Sequence, residues 1–145
     1  MIDLKQPNYY QDVKQFHQTF HHPGADHPTP IPLARGIKRA TWTAEEAVVE
    51  FLHQSSRDEN EFLASIESFK TGLDRAVEKS LRETYPTTEV EQLVGQGDAL
   101  TDALYFIMGS FVEAGLEPDI SVGRPTPSSL PVQHHSARSR LRSTG

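Results

Sequence analysis

The chain has 145 residues, a formal net charge of −6 and no cysteine. That length suits one domain with a real core, and the missing cysteines exclude disulfides and thiolate metal sites. All 20 acidic residues fall within residues 1–120 beside 10 basic ones, so the body carries −10, while four arginines give the last 25 residues +4. An acidic body argues against a nucleic-acid partner and favours divalent cations, or a polyanion arriving with its metal.

The longest nearly apolar run, residues 103–112, is too short to span a bilayer. The start, MIDLKQPNYY, lacks a basic segment followed by an apolar one. A cytoplasmic protein without a membrane partner is therefore expected.

The first predicted helix covers about residues 10–20, where Val13, Phe16 and Phe20 recur at helical spacing. The stretch HHPGADHPTPIP then breaks helical structure with its prolines and glycine. A second helix is expected from about residue 33 to 55. A third, about 58–84, opens on the cap-like SSRDENE and carries Phe62, Ile66, Phe69, Leu73, Val77 and Leu81 at steps of three and four. Pro86 ends it. The fourth, about 90–114, is stopped by Gly115 and Pro118. No strand alternation is convincing. The expectation is an all-α, four-helix bundle over residues 1–120, followed by a disordered tail, 121–145, too poor in apolar residues to offset its ordering entropy.

On a wheel at 100° per residue, Ala44, Ala47, Val48, Phe51 and Leu52 form the apolar side of the second helix. Arg39, Trp42, Glu46, Glu50 and His53 fall opposite. Glu46 and Glu50, four apart, repel by a few tenths of a kcal/mol unless water or a cation separates them. On the fourth helix Asp98, Asp102, Tyr105, Gly109 and Glu113 share one face, so Asp98 and Asp102 repeat the arrangement. Asp102 stands among apolar residues in the segment expected to be central. An ionised carboxylate is costly there without a partner, and this helix has no lysine or arginine to supply one.

Two helices that each present a carboxylate pair can close on a dication at helix-packing distance. All-oxygen ligation suits Mg²⁺ or Mn²⁺, which keep waters and bind substrate phosphates. The bland alternative is that both faces are simply solvated. Trp42 could stack on a base or pack at an interface, and Arg39 could reach a phosphate or remain solvated. A zinc site from His17, His21, His22 and His27 is the weakest reading, because a proline-rich loop runs between them.

The blocks ARGIKRATWTAEEAVVEFLHQSS and GDALTDALYFIMGSFVEAGLEP, preceded by YYQDVKQFHQTFHHPGADHPTPIP, resemble the MazG-like all-α nucleoside triphosphate pyrophosphohydrolases. The resemblance is nearest to the phosphoribosyl-ATP pyrophosphohydrolase-like (Cof-like) branch and covers about residues 8–119. It implies a helical fold that forms a homodimer or higher homo-oligomer. It also implies Mg²⁺-dependent attack of water on a nucleoside triphosphate, giving the monophosphate and pyrophosphate.

The pattern of that family, EExxE followed by ExxD, maps Glu45, Glu46 and Glu50 to the first block and Asp102 to the final aspartate. Glu46, Glu50, Asp98 and Asp102 are then the expected metal ligands, Glu45 and Glu46 the catalytic candidates, and Arg39 and Trp42 the substrate contacts. This chain departs by one residue in each block: the first reads EExxxE, and the glutamate of ExxD falls on Ala99, with Asp98 just before it. Relatives also continue with segments resembling ANMSK and DGK, where this chain has a serine-, proline- and arginine-rich tail. The alternative is therefore a non-catalytic or truncated helical relative that serves as a scaffold.

Overall fold

The structure is a computed structural model, and it describes residues 8–119 and 124–125. It is helical apart from one two-residue strand pair. The helices are α1 (Tyr9–Thr19), α2 (Leu33–Ala44), α3 (Phe51–Ser55), α4 (Glu59–Leu81) and α5 (Glu89–Ala114), and Glu45–Glu50 between α2 and α3 is a π-helical turn. Strands β1 (Pro118–Asp119) and β2 (Arg124–Pro125) pair antiparallel, Pro118 opposite Pro125 and Asp119 opposite Arg124. The disorder expected for residues 121–145 otherwise falls outside the described residues.

Helix boundaries follow local chemistry. Asn8 caps α1 by accepting the Gln11 N–H at 3.1 Å, and Asp58 caps α4 by accepting that of Glu61 at 2.8 Å. At the start of α5 the Thr88 hydroxyl accepts the Glu91 N–H, while the Glu91 carboxylate reaches back to the Thr87 N–H and hydroxyl. This reciprocal arrangement is a capping box displaced by one residue. The C-terminus of α5 closes with Leu116 N–H bonded to the Phe111 carbonyl and Gly115 N–H to that of Val112. Gly115 takes φ +67° for this, a conformation that a side chain disfavours.

The chain divides into two compact units, residues 28–101 and residues 1–27 with 102–145. In the first, α3 packs on α4, and the His53 ring meets Phe62 edge-on at 5.3 Å. Gln96 on α5 holds the chain just before α2 with both ends of its amide, accepting the Ile31 N–H at 2.8 Å and donating to the Ile31 carbonyl at 3.0 Å. In the second unit, the Tyr9 hydroxyl donates to the Pro118 carbonyl at 2.8 Å. His17 Nδ1 donates to the Pro23 carbonyl, and His21 adopts φ +56° as α1 ends.

Two expectations need correcting. The predicted second helix is continuous from 33 to 55 but is not α throughout, so a uniform 100° wheel misplaces residues beyond Ala44. Of its expected apolar side, only Val48 and Leu52 are half-buried, and Phe51 is exposed. The expected core is also absent: no described residue is buried. Along α4 the apolar stripe is half-covered at Phe62 and Ile66. It becomes barer beyond, from 37% exposed at Phe69 through Leu73 and Val77 to 64% at Leu81.

The α5 cap yields a test. Hydrogen bonds from the Thr87 N–H and hydroxyl, and then the Thr88 backbone, hold the Glu91 carboxyl below its usual pKa. A lowered folded pKa contributes stability above the unfolded value and loses it as pH falls through the folded one. Glu91→Gln is therefore expected to flatten the acid limb of the stability–pH curve. Thr88→Ala is expected to cost on the order of 1 kcal/mol in denaturant unfolding at neutral pH.

Candidate functional site

The three glutamates sit in and around the π-turn. Upstream, Thr41 and Thr43 donate through their hydroxyls to carbonyls four residues back, Ile37 and Arg39, which is α-helical spacing. The Glu45 N–H still bonds to the Thr41 carbonyl. The Phe51 N–H then bonds to the Glu46 carbonyl, five residues back, and α spacing resumes with the Ser55 hydroxyl on the Phe51 carbonyl. One residue is thus taken up in the turn, as the wider i→i+5 ring requires.

Glu45, Glu46 and Glu50 are all exposed. Gln54, a residue that sequence reasoning passed over, donates from Nε2 to Glu50 Oε1 at 2.9 Å. Its signal was the i,i+4 spacing on a helix, which brings an amide within reach of a carboxylate. Arg39 and Trp42 stand one turn apart on α2, the guanidinium carbon 5.9 Å from the indole centroid, a cation–π distance. Both are exposed, and the pair offers a flat apolar face beside a positive charge. His53 turns to Phe62 instead of to the carboxylates.

Asp98 and Asp102 lie four apart on regular α-helix and therefore on one face. Asp102 is exposed, and so are Ala103, Leu104, Phe106 and Ile107 around it. The expectation that apolar neighbours enclose this carboxylate is not met among the described residues, which leave this part of α5 exposed. The ion pairs Arg57–Glu61 and Lys70–Glu67 lie at the start of α4 and along it, and neither involves the candidate carboxylates. A structural salt bridge at Asp102 is thus ruled out among the described residues.

No group of three or more His, Asp or Glu that could hold a metal gathers among the described residues of one chain. Neither His17, His21, His22 and His27 nor the expected set Glu46, Glu50, Asp98 and Asp102 gathers as such a group among the described residues of one chain. The carboxylate pairs remain compatible with Mg²⁺, which commonly takes one or two protein carboxylates and completes its shell with waters and phosphate oxygens.

A family model for phosphoribosyl-ATP pyrophosphohydrolase matches residues 13–121. The chain belongs to the phosphoribosyl-ATP pyrophosphohydrolase family. It is also similar to a solved structure, a "putative NTP pyrophosphohydrolase" from Exiguobacterium sp. 255-15. The two are 62% identical, with a TM-score of 0.78, over 97% of this chain and 98% of the other. No curated protein gives a match. The family is one of hydrolases, and the all-helical fold agrees with it. No described helix is long and apolar enough to cross a membrane.

The Asp98–Asp102 pair has a measurable consequence. Like charges four apart on a helix destabilise it by a few tenths of a kcal/mol, and salt screens the effect. Asp98→Asn is expected to stabilise the metal-free protein by that amount at low ionic strength, and the gain should shrink in high salt, as read by thermal unfolding in chelator.

Proposed function

We propose that this protein is a nucleoside triphosphate pyrophosphohydrolase that depends on Mg²⁺ or Mn²⁺ and works as a homodimer or higher homo-oligomer. The observation that carries the reading is family membership over residues 13–121, supported by exposed carboxylates around the π-turn and on α5 that no cation of the chain neutralises among the described residues. Glu45, Glu46 and Glu50 supply one group of oxygens, and Asp98 and Asp102 the other. None has a cation of this chain as partner among the described residues.

In the reaction, water attacks the α-phosphorus, the α–β phosphoanhydride bond breaks, and pyrophosphate leaves the nucleoside monophosphate. A dication held by these carboxylates would neutralise the phosphates and polarise the phosphorus. The protein's share is positioning and electrostatics. The paired carboxylates fix where the polyphosphate can lie, and a glutamate of the first group takes the proton from the attacking water. Arg39 and Trp42 are suited to a phosphate oxygen and a base face respectively.

Oligomerisation is supported by the bare apolar stripes. Leu73, Val77 and Leu81 on α4, and Leu100 and Leu104 on α5, are each about half exposed or more. A second copy presents stripes of the same chemistry, and obligate homodimers bury such surfaces extensively. The cytoplasm, where nucleotides and Mg²⁺ are abundant, is the proposed location.

The deciding experiment is pyrophosphate release from a panel of nucleoside triphosphates and phosphoribosyl-ATP, with Mg²⁺ and with chelator. Release that requires metal and falls at least 100-fold in Asp102→Ala is expected. No release from any substrate would leave the non-catalytic scaffold. Sedimentation should give at least twice the chain mass, and thermal stability should rise with protein concentration, as mass action demands.

A further inference from the structure

The last turns of α5 and the residues after it form an open groove of about 470 Å³. Its described lining is Met108, Phe111, Val112, Gly115, Leu116 and Pro118, and Glu117 is the charged residue beside them. Met108, Phe111, Leu116 and Pro118 are half-buried, so the groove has walls, yet Val112 is 80% exposed and lacks a cover. Apolar surface left in this state favours whatever apolar group can reach it.

The backbone decides which group that is. α5 leads through Leu116 and Glu117 into β1, and β2 pairs antiparallel with β1, Asp119 opposite Arg124 and Pro118 opposite Pro125. Antiparallel pairing reverses the chain, so beyond Pro125 it heads back toward Glu117, Leu116 and the groove. Groove and tail belong to the same compact unit. The sequence from residue 126 is TPSSLPVQHHSARSRLRSTG. Residues 126–129 can span roughly 13 Å, while the helix from Met108 to Gly115 is about 10 Å long. Leu130 and Val132 are thus delivered within range.

The sequence suits them to it. Pro127 and Pro131 bias the stretch toward extended backbone. Residues two apart in such backbone share a face, so Leu130 and Val132 can enter one groove together. The tail as a whole is too polar to offset its own ordering, but this run asks only a few residues to be fixed, and the prolines have already narrowed their freedom. Charge points the same way. α5 has no basic residue in its last turn, and Glu113 adds to the negative end of its dipole. Arg138, Arg140 and Arg142 follow the apolar run, with no acidic residue anywhere in 126–145.

We propose that residues 130–132 of the chain's own tail occupy this groove, with Leu130 and Val132 against Phe111, Val112 and Leu116, and that the arginines beyond them stand by the C-terminal end of α5. The tail then supplies a cover that the described residues do not, and it fixes the end of the helix that carries Asp102. None of this depends on the pyrophosphohydrolase reading.

Methyl NMR on the full chain tests it. Cross-peaks from the Leu130 and Val132 methyls to Met108, Phe111 and Val112 are expected, with those methyls displaced from random-coil shifts. In Val112→Asp the cross-peaks should vanish and the tail methyls return to random-coil positions. The converse variant, Leu130→Ser/Val132→Ser, lies outside the helices and should move the Met108 methyl signal. Random-coil tail methyls in the unaltered protein, or a Met108 signal that the tail variant leaves in place, overturn the proposal. Cross-peaks seen only between differently labelled copies in a mixed sample give the groove to a second copy's tail and overturn occupancy by the chain's own. Salt at 1 M, which screens the arginines, should raise the undocked population at least twofold; no change removes the arginines from the proposal.

Discussion

The rest of the structure depends on apolar surface that the described residues leave uncovered. Helices hold together in water because they bury one stripe against another element, and the conformational entropy they lose is otherwise uncompensated. Here the stripes are present at the right period, yet no described residue is buried, and exposure climbs along α4 as α3 is left behind. Covering what is still exposed of Leu73, Val77, Leu81, Leu100 and Leu104, at about 1 kcal/mol each, would contribute on the order of 5 kcal/mol. That is comparable with the lower end of a whole domain's net stability. Local capping at Asn8, Asp58 and Thr88 sets where helices begin, but caps worth about 1 kcal/mol cannot replace a core.

The same shortage explains why the carboxylates look unremarkable in a single chain. Asp102 was expected to be enclosed, and an enclosed ionised carboxylate demands a partner. It is exposed, and the desolvation that would make it informative would require a second surface over it. Coverage by another copy would lower the local dielectric, raise the cost of leaving Asp98 and Asp102 together, and strengthen their attraction for a dication. On the proposed reading, assembly and metal affinity are coupled through desolvation.

Much of the fold was legible in the sequence. All four helical stretches were readable from the three-and-four spacing of apolar residues, and their ends from Pro86, Gly115 and the residues flanking Glu59. Periodicity reports backbone geometry directly, so it survives without knowledge of packing. What was not legible depended on alternatives of similar energy or on contacts distant in sequence. The Gln96 amide that binds Ile31 on both sides spans 65 residues. The reach of Glu91 back to Thr87 is local, but it differs by one residue from the usual box. Of the site, the residue types and the pair on α5 were legible, while the phase of the glutamates was not.

The half-covered positions of the helix from 33 to 55 explain why the wide turn is there. A helix that keeps its half-covered side continuous from Gly36 through Val48 to Leu52 meets a conflict under α geometry, because those positions are out of step by about one residue. Rewinding the whole helix would spread strain over many residues and disturb the α-type bonds of Thr41, Thr43 and Ser55. Taking up a single residue in one wide turn confines the cost to six residues and brings the half-covered positions back into one stripe.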